Sequence, residues 1–184
     1  MSNKNLPAGL IDGNLELFAV GKKVKAIYKG EVISFGDLPE EIKEAFRTEI
    51  VKDKEALLSL SAMGHTTDKD MLLQYVFCNY GGFDNEADFK KGVGKKEYWD
   101  CGRRGKCNFE GKLCKNITIN GKPLTPREIQ VIKLIASGYL DKEISGLLFI
   151  SISTVATHKD NIYKKTGTTT KVELAVLATK LNLI

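Results

Sequence analysis

Residues 121–184 carry the pattern that most restricts how this chain can fold: four short amphipathic segments joined by turns of only a few residues. The first begins with Thr125-Pro126-Arg127-Glu128, a capping box in which the Thr hydroxyl and the Glu carboxylate each pair with a free backbone N–H. It ends at Gly138, and further helices are predicted over residues 141–148, about 151–165, and from about 169 onward. This arrangement predicts an all-α, four-helix helix-turn-helix domain.

The third helix, capped by Ser151 or Ser153, is predicted to have one apolar and one polar side. Val155 and Ile162, with His158 or Lys159 between them, fall on the side that returns to the core, as Ile144, Leu147 and Leu148 do in the second helix. The opposite side carries Thr154, Thr157, Asn161 and Lys164, with Ser153 and Asp160 beside them. Short hydroxyl and amide groups donate to phosphates and base edges. This side is therefore predicted to enter the major groove of double-stranded DNA.

The same segment contains a series of positions with a fixed order and spacing: Leu124-Thr-Pro-Arg-Glu128, Ala136-Ser-Gly138, Lys142-Glu-Ile144, Leu148-Phe-Ile-Ser151, Thr154-Val155, His158, Asn161-Ile162, Lys165 and Gly167. In these positions the segment resembles the LuxR/NarL family of DNA-binding domains. The resemblance covers roughly a third of the chain. The resemblance implies a sequence-specific transcriptional regulator that binds DNA as a homodimer through its last helix. RNA polymerase is a further candidate partner.

Carried over by position, the resemblance gives Ser151, Thr154 and His158 backbone-contacting or helix-positioning roles, and places Ala156, Thr157 and Asp160 where the family reads bases. The predicted DNA-binding residues are Ser151, Ser153, Thr154, Thr157, His158, Asn161, Lys164 and Lys165. The sequence departs from the family at Ala156 and Asp160, where longer polar or basic side chains are usual, and at Leu140, where a polar cap is usual. A protein-interaction module that has lost base reading therefore stays open as an alternative.

Residues 1–118 predict a separate α+β region, so that the predicted DNA-binding domain covers residues 119–184. Alternating runs between residues 15 and 35, joined at Lys29-Gly30, predict a β-hairpin. Helices are predicted after Pro39, over residues 54–63, and over residues 68–79 with Asp68 as the cap. Residues 83–118 are rich in glycine and lysine and predict a cysteine-rich loop. None of the phosphate-loop, dinucleotide, metalloprotease or nucleophile-elbow motifs occurs, so no enzyme is expected.

Four cysteines precede the predicted DNA-binding domain: Cys78, Cys101, Cys107 and Cys114. Clustered thiols in a reducing compartment favour a metal over a disulfide. The intervening glycines allow tight turns, and Arg103, Arg104 and Lys106 are expected to lower the pKa values of the thiols. Four sulfurs suit structural Zn²⁺ or an iron–sulfur cluster.

Three interpretations of the cysteines stay open at the level of sequence. They are a structural zinc site, an iron–sulfur or thiol redox switch with DNA binding as its output, and thiols without a ligand. The spacing of five and six residues between the last three cysteines is similar to the cluster-binding loops of iron–sulfur regulators of the IscR/NsrR kind. The scarcity of apolar residues in the loop favours a bound ligand over bare thiols.

The net charge of +5 is unevenly distributed along the chain. Residues 31–89 hold 5 basic and 13 acidic residues (net −8), residues 90–115 hold 9 and 3 (net +6), and residues 121–184 hold 9 and 5 (net +4). The basic second half indicates a negatively charged partner, while the cysteine loop can use its own charge to offset thiolates. No apolar run approaches the ~20 residues of a membrane span, and the start lacks the apolar stretch of a signal peptide, so a cytoplasmic protein is expected.

Overall fold

The computed structural model describes residues 6–10, 13–84, 86–104, 106–181 and 183–184. The chain divides into two compact units, Met1–Lys115 and Asn116–Ile184. The first combines strands with helices, and the second is mainly helical. The predicted order of classes, an α+β region followed by a helical domain, is confirmed.

The first unit is built on a five-stranded antiparallel sheet with the strand order β3-β2-β1-β4-β5. Its strands are β1 (Leu15–Val20), β2 (Lys23–Tyr28), β3 (Glu31–Ser34), β4 (Phe89–Lys90) and β5 (Val93–Gly94). Lys29 and Gly30 both have positive φ, 51° and 84°, which is the backbone of the tight turn predicted between β2 and β3. The pairing Leu17↔Ala26 illustrates the register, with both side chains fully buried on one face of the sheet.

The prediction of an uninterrupted loop over residues 83–118 is wrong at β4 and β5. β4 pairs with β1 through Phe89 and Leu15, so a contact between distant parts of the chain creates this strand. Two-residue strands are too short to show an alternating pattern, which is why periodicity does not find them.

Three helices cover the apolar face of the sheet: α1 (Glu40–Lys52), α2 (Lys54–Ala62) and α3 (Asp68–Asn79). The side chain of Asp53 caps α2 by accepting the Ala56 N–H. Thr67 caps α3 through the Asp70 N–H, so the prediction of Asp68 as the cap is one residue late. The core between the helices and the sheet centres on the Phe46 ring, which contacts Tyr80 and Phe89.

Three carboxyl groups lie close together beside β1, and two of them are almost fully buried. Glu16 is 1% exposed and accepts the Asp84 N–H, while Asp88 is 5% exposed and accepts the Leu17 N–H. Glu97 is half-buried and accepts the Gly82 N–H. Burial, with added repulsion from neighbouring carboxylates, raises the pKa of Glu16 to about 8, of Asp88 to about 9 and of Glu97 to about 7.

These carboxyls make the stability of the first unit fall as pH rises. The folded state binds their protons more tightly than the unfolded chain does, so stability declines between about pH 4.5 and pH 9. Glu16→Gln keeps the acceptor oxygen and removes the charge, so we expect Tm to rise by roughly 4 °C at about pH 9 and to change little at about pH 5. Thermal unfolding of the full chain measures this. The exposed control Glu31→Gln should change neither value, and an equal gain for Glu16→Gln at both pH values would contradict the expectation.

The second unit contains a short hairpin and a set of packed helices. Its elements are β6 (Thr118–Ile119), β7 (Lys122–Pro123), α4 (Pro126–Ala136), α5 (Asp141–Leu148), α6 (Ile152–Thr166) and α7 (Lys171–Lys180). The predicted capping box of Thr125 and Glu128 is confirmed, with both bonds formed. Side chains from all these helices meet in a buried core: Ile129, Ile132, Ile144, Val155, Ile162, Leu174 and Ala178.

Two details of the second unit differ from the sequence predictions. Leu147, expected in the core, is 51% exposed, because the eight-residue α5 turns only Ile144 fully inward. The hairpin contributes a cap that the sequence pattern does not indicate: the Asn120 side-chain amide donates to the Lys165 and Thr166 carbonyls at the end of α6. Across the described residues, every helix is too short or too polar to cross a membrane.

Candidate functional site

Helix α6 presents a mainly polar side to solvent. Val155 and Ile162 are fully buried, which fixes the rotation of the helix about its axis. The exposed residues on the other side are Ser151, Ile152, Ser153, Ala156, Thr157, Asp160, Asn161 and Lys164. The predicted division of the helix into a core side and a solvent side is therefore confirmed for these residues.

The N-terminus of α6 has the properties of an anion-binding end. Ser151 caps the helix by accepting the Thr154 N–H at 3.0 Å, and its hydroxyl also lies 2.7 Å from the Ser153 hydroxyl. The first turn holds no acidic side chain. Because the N-terminal end of a helix carries partial positive charge, this turn favours a negatively charged group such as a phosphate.

Three of the predicted DNA-binding residues lie away from the exposed side of α6. Thr154 and His158 are half-buried. Lys165 points to the other side of the helix, where its ammonium lies 2.7 Å from Glu128 Oε2 and 3.0 Å from the Pro123 carbonyl oxygen. Although burial opposes its ionisation, the bonds from Lys165 and Thr125 hold the pKa of Glu128 below its usual value. Lys165 thus links α6 to the capping box of α4.

A second carboxylate links three helices of this unit. Asp141, at the start of α5, lies 2.7 Å from the Lys159 ammonium and 2.9 Å from the Lys171 ammonium. Lys159 belongs to α6 and Lys171 to α7, so one side chain connects the exposed helix with the last helix. Their bonds to Asp141, set against its partial burial, lower the pKa of that carboxyl.

Sequence reasoning missed two exposed apolar residues, one at the turn before α6 and one at the first position of α6. Phe149 is 93% exposed and has a left-handed backbone, with φ 54° and ψ 47°, while Ile152 is 52% exposed. A non-glycine residue in this conformation at a helix C-terminus is uncommon. The break between the α5 and α6 patterns is the sequence signal that marks a turn at Phe149.

The four cysteines of the first unit line one small cavity. Its volume is about 20 Å³, and Phe77, Phe109 and Leu113 contribute apolar walls beside Cys78, Cys101, Cys107 and Cys114. Cys78 comes from the end of α3, and the other three come from the segment that follows β5. The structure therefore brings Cys78 to the three cysteines that lie close together later in the sequence.

The four thiols are free: none of them is joined in a disulfide. Among the described residues, no three His, Cys, Asp or Glu side chains are placed so that they could hold a metal ion. Burial raises the pKa of Cys78 to about 11 and also raises that of Cys114, despite the nearby Arg104. The expectation that basic residues lower the thiol pKa values is wrong for these two cysteines, because burial outweighs the positive charge.

Arg104 is the basic residue held inside the cysteine segment. Its side chain is 6% exposed, its guanidinium lies 4.2 Å from the Tyr98 ring centre, and it donates to the Trp99 and Lys115 carbonyls. Glu110 Oε1 lies 3.5 Å from Nη1. The second terminal nitrogen, Nη2, is buried without a hydrogen-bond acceptor among the described residues.

Comparison with known proteins finds relatives of the second unit. Residues 122–178 match the model of the family described as bacterial regulatory proteins, luxR family. The oxygen regulatory protein NreC from Staphylococcus aureus strains JH9, JH1 and USA300 is in each case 44% identical over 69 residues, which is 38% of this chain and 32% of NreC. The chain thus matches about a third of the length of these curated relatives, and no solved structure matches it.

Proposed function

We propose that this chain, whose residues 122–178 form a luxR-family DNA-binding domain, is a sequence-specific transcription regulator without enzymatic activity. One observation carries the proposal: a domain of this family presents the whole polar side of α6 to solvent, beginning at a helix end suited to an anion. The major groove of double-stranded DNA is wide enough for one α-helix, and it presents base edges between two rows of phosphates.

The exposed residues of α6 divide by the chemistry of their side chains. Ser151 and Ser153, at the N-terminus, suit phosphate oxygens, and Lys164 suits a phosphate further along the groove. Asn161 lies between them and can donate to a base edge, while the Thr157 hydroxyl donates to the Ser153 carbonyl and can accept from a base amino group. The methyl group of Ala156 leaves room for close approach and can contact a thymine methyl.

We propose a homodimer through α7 as the DNA-bound form. Val172 is 74% exposed and Val176 is 51% exposed, and their spacing of four residues puts them on one side of the helix. A stable interface buries about 800 Å² on each partner, and two valines cover far less than that. We therefore expect the α7 helices of two copies to associate only when both copies bind neighbouring half-sites on DNA. Contact with RNA polymerase remains a further proposal.

For the first unit we propose a metal site formed by Cys78, Cys101, Cys107 and Cys114. Its support is that all four thiols line the same cavity, although α3 and the later segment lie far apart in sequence. The metal site and the DNA-binding surface belong to different units, so either proposal can fail without the other.

Selection from random double-stranded DNA, followed by footprinting, tests the proposed function. A regulator of this kind should enrich one motif, protect it from cleavage, and lose affinity steeply as salt rises, because phosphate contacts release counterions. Selection that enriches no motif would overturn the proposal of sequence-specific binding. Weak, salt-sensitive binding to every DNA would leave only a non-specific role.

The substitution Asp160→Asn is expected to tighten DNA binding by roughly threefold, since it removes a negative charge from the side of α6 that faces phosphates. Fluorescence anisotropy with the selected DNA at several salt concentrations measures the change. Asp37→Asn, an exposed position in the first unit, is the matched control and should leave the affinity unchanged. Weaker binding of the Asp160→Asn protein would indicate instead that Asp160 accepts a hydrogen bond from a base.

A further inference from the structure

We infer that the cysteine cavity takes a single Zn²⁺ ion as a structural tetrathiolate site, and that Arg104 is its charge-compensating positioning residue. The inference rests on the proposed four-cysteine metal site and identifies its occupant. Two independent observations carry it: the size of the cavity and the unpaired donor of a buried guanidinium.

The size of the cavity favours one ion over a cluster. About 20 Å³ is close to the space that one water molecule requires. A four-iron cluster adds four irons and four bridging sulfides within the same ring of cysteines, so it needs several times that space. Phe77, Phe109 and the buried Leu113 form the walls, and enlarging the cavity would require these side chains to give up their packing in and against the core.

Arg104 supplies a positive charge and a hydrogen-bond donor beside a thiolate-bound ion. Zn²⁺ with four thiolates carries a net charge of −2, and the Arg104 guanidinium lies in the wall of the cavity. Its contacts with Trp99, Lys115 and Tyr98 hold the group in place, and Glu110 lies 3.5 Å from Nη1. Nη2–H has no acceptor among the residues that the structure describes. A buried donor of this kind costs stability unless it is paired, and a coordinated sulfur is an acceptor of the required charge.

Neighbouring amides are also directed at the sulfurs. The Gln74 side-chain amide donates to Cys78 Sγ at 3.1 Å, and the Gly111 backbone N–H bonds to the Cys114 thiol. Asn79, fully buried, donates to the Leu113 carbonyl at 3.0 Å and so fixes α3 to the chain beside Cys114. These bonds hold two of the four ligands near their final places.

Binding draws the remaining sulfurs inward. Gly102 and Gly111 have positive φ, 73° and 79°, so the chain can turn sharply beside Cys101 and before Cys114. Each Zn–S bond replaces an S–H bond, and the four protons pass to water, with no change in oxidation state. The ion then joins α3 to a segment that has little regular structure of its own.

Metal analysis of the full-length protein tests the occupant. We expect one zinc per chain, no visible absorbance, and, after exchange with Co²⁺, the sulfur-to-cobalt and visible bands of a tetrahedral thiolate site. Iron with acid-labile sulfide would overturn the inference while leaving the four-cysteine site in place. Failure to bind zinc, cobalt or iron would overturn the site itself, and neither result would affect the DNA-binding proposal.

Variants of the same protein test the ligands and Arg104. Each single Cys→Ser change should remove the cobalt bands or shift them strongly. Arg104→Ala should lower zinc affinity at least about tenfold and move the sulfur-to-cobalt band, because a hydrogen bond to sulfur alters its donor strength. Lys112→Ala, which removes an exposed charge near Cys114, should do neither. A folded Arg104→Ala protein with unchanged zinc affinity and an unchanged band would overturn the role of Arg104.

Discussion

Replacing Thr157 with glutamate is expected to reduce affinity for the selected DNA by roughly 100-fold. Thr157 lies at the middle of the exposed side of α6, and its hydroxyl bonds back to the Ser153 carbonyl at 3.1 Å. A carboxylate there would face phosphates and would also fill the space that a base edge must enter. Competition binding against the motif, with the wild-type chain as reference, measures the loss.

The matched control for this change is Lys122→Gln, which lowers the net charge of the second unit by the same amount at an exposed position on the hairpin. If binding depended only on the overall charge of the domain, both variants would lose affinity equally. We expect the control to lose much less. An equal loss would show that α6 is not the surface that contacts DNA.

Replacing Lys165 with methionine is expected to lower the free energy of unfolding of the second unit by about 2 kcal/mol, which corresponds to roughly 10 °C in Tm. The Glu128 side chain is 4% exposed, and its Oε2 accepts both the Lys165 ammonium and the Thr125 N–H at 2.7 Å. Methionine removes the cation and leaves a buried carboxylate with half of its partners. The Lys165 side chain is 25% exposed to water, and this exposure reduces the expected loss of stability.

A double-mutant cycle separates this stabilising role from a role in DNA contact. Glu128→Gln combined with Lys165→Met leaves no unpaired buried charge, so much of the lost stability should return. If Lys165 also holds a phosphate, the stable double variant will bind DNA more weakly and with a smaller dependence on salt. If both single changes leave Tm unaltered, the ion pair does not stabilise the domain.

The sequence predicts the second unit well because residues within or next to each helix indicate where it begins, where it ends and which side is buried. Thr125, Pro126 and Glu128 define the start of α4, Gly138 lies past its end, and the spacing of Val155 and Ile162 determines which side of α6 is exposed. The resemblance to the luxR family is confirmed over residues 122–178. Contacts across the domain are less predictable: Lys165 and Glu128 meet only because α6 packs beside the start of α4.

The details of the first unit are less predictable from the sequence, because contacts between distant residues determine them. β4 exists through its pairing with β1, and the buried carboxyls of Glu16 and Asp88 meet only after the sheet has formed. The cysteines show what the sequence can predict and what depends on the fold. Their number and their neighbours suggest a metal, but only the fold brings Cys78 to the other three and buries the thiols enough to raise the pKa of Cys78.

The Asn120 cap and the buried Ile117 make the smallest fragment that can be expected to fold as the second unit longer than the family match. The family match begins at residue 122, inside the hairpin, whereas the amide that closes the end of α6 lies two residues earlier. A fragment cut at the edge of the match would expose the Lys165 and Thr166 carbonyls and lose Ile117, which is 6% exposed and belongs to the same unit. A fragment that contains the whole second unit therefore begins at Asn116, and fusion proteins or crystallisation fragments should start there.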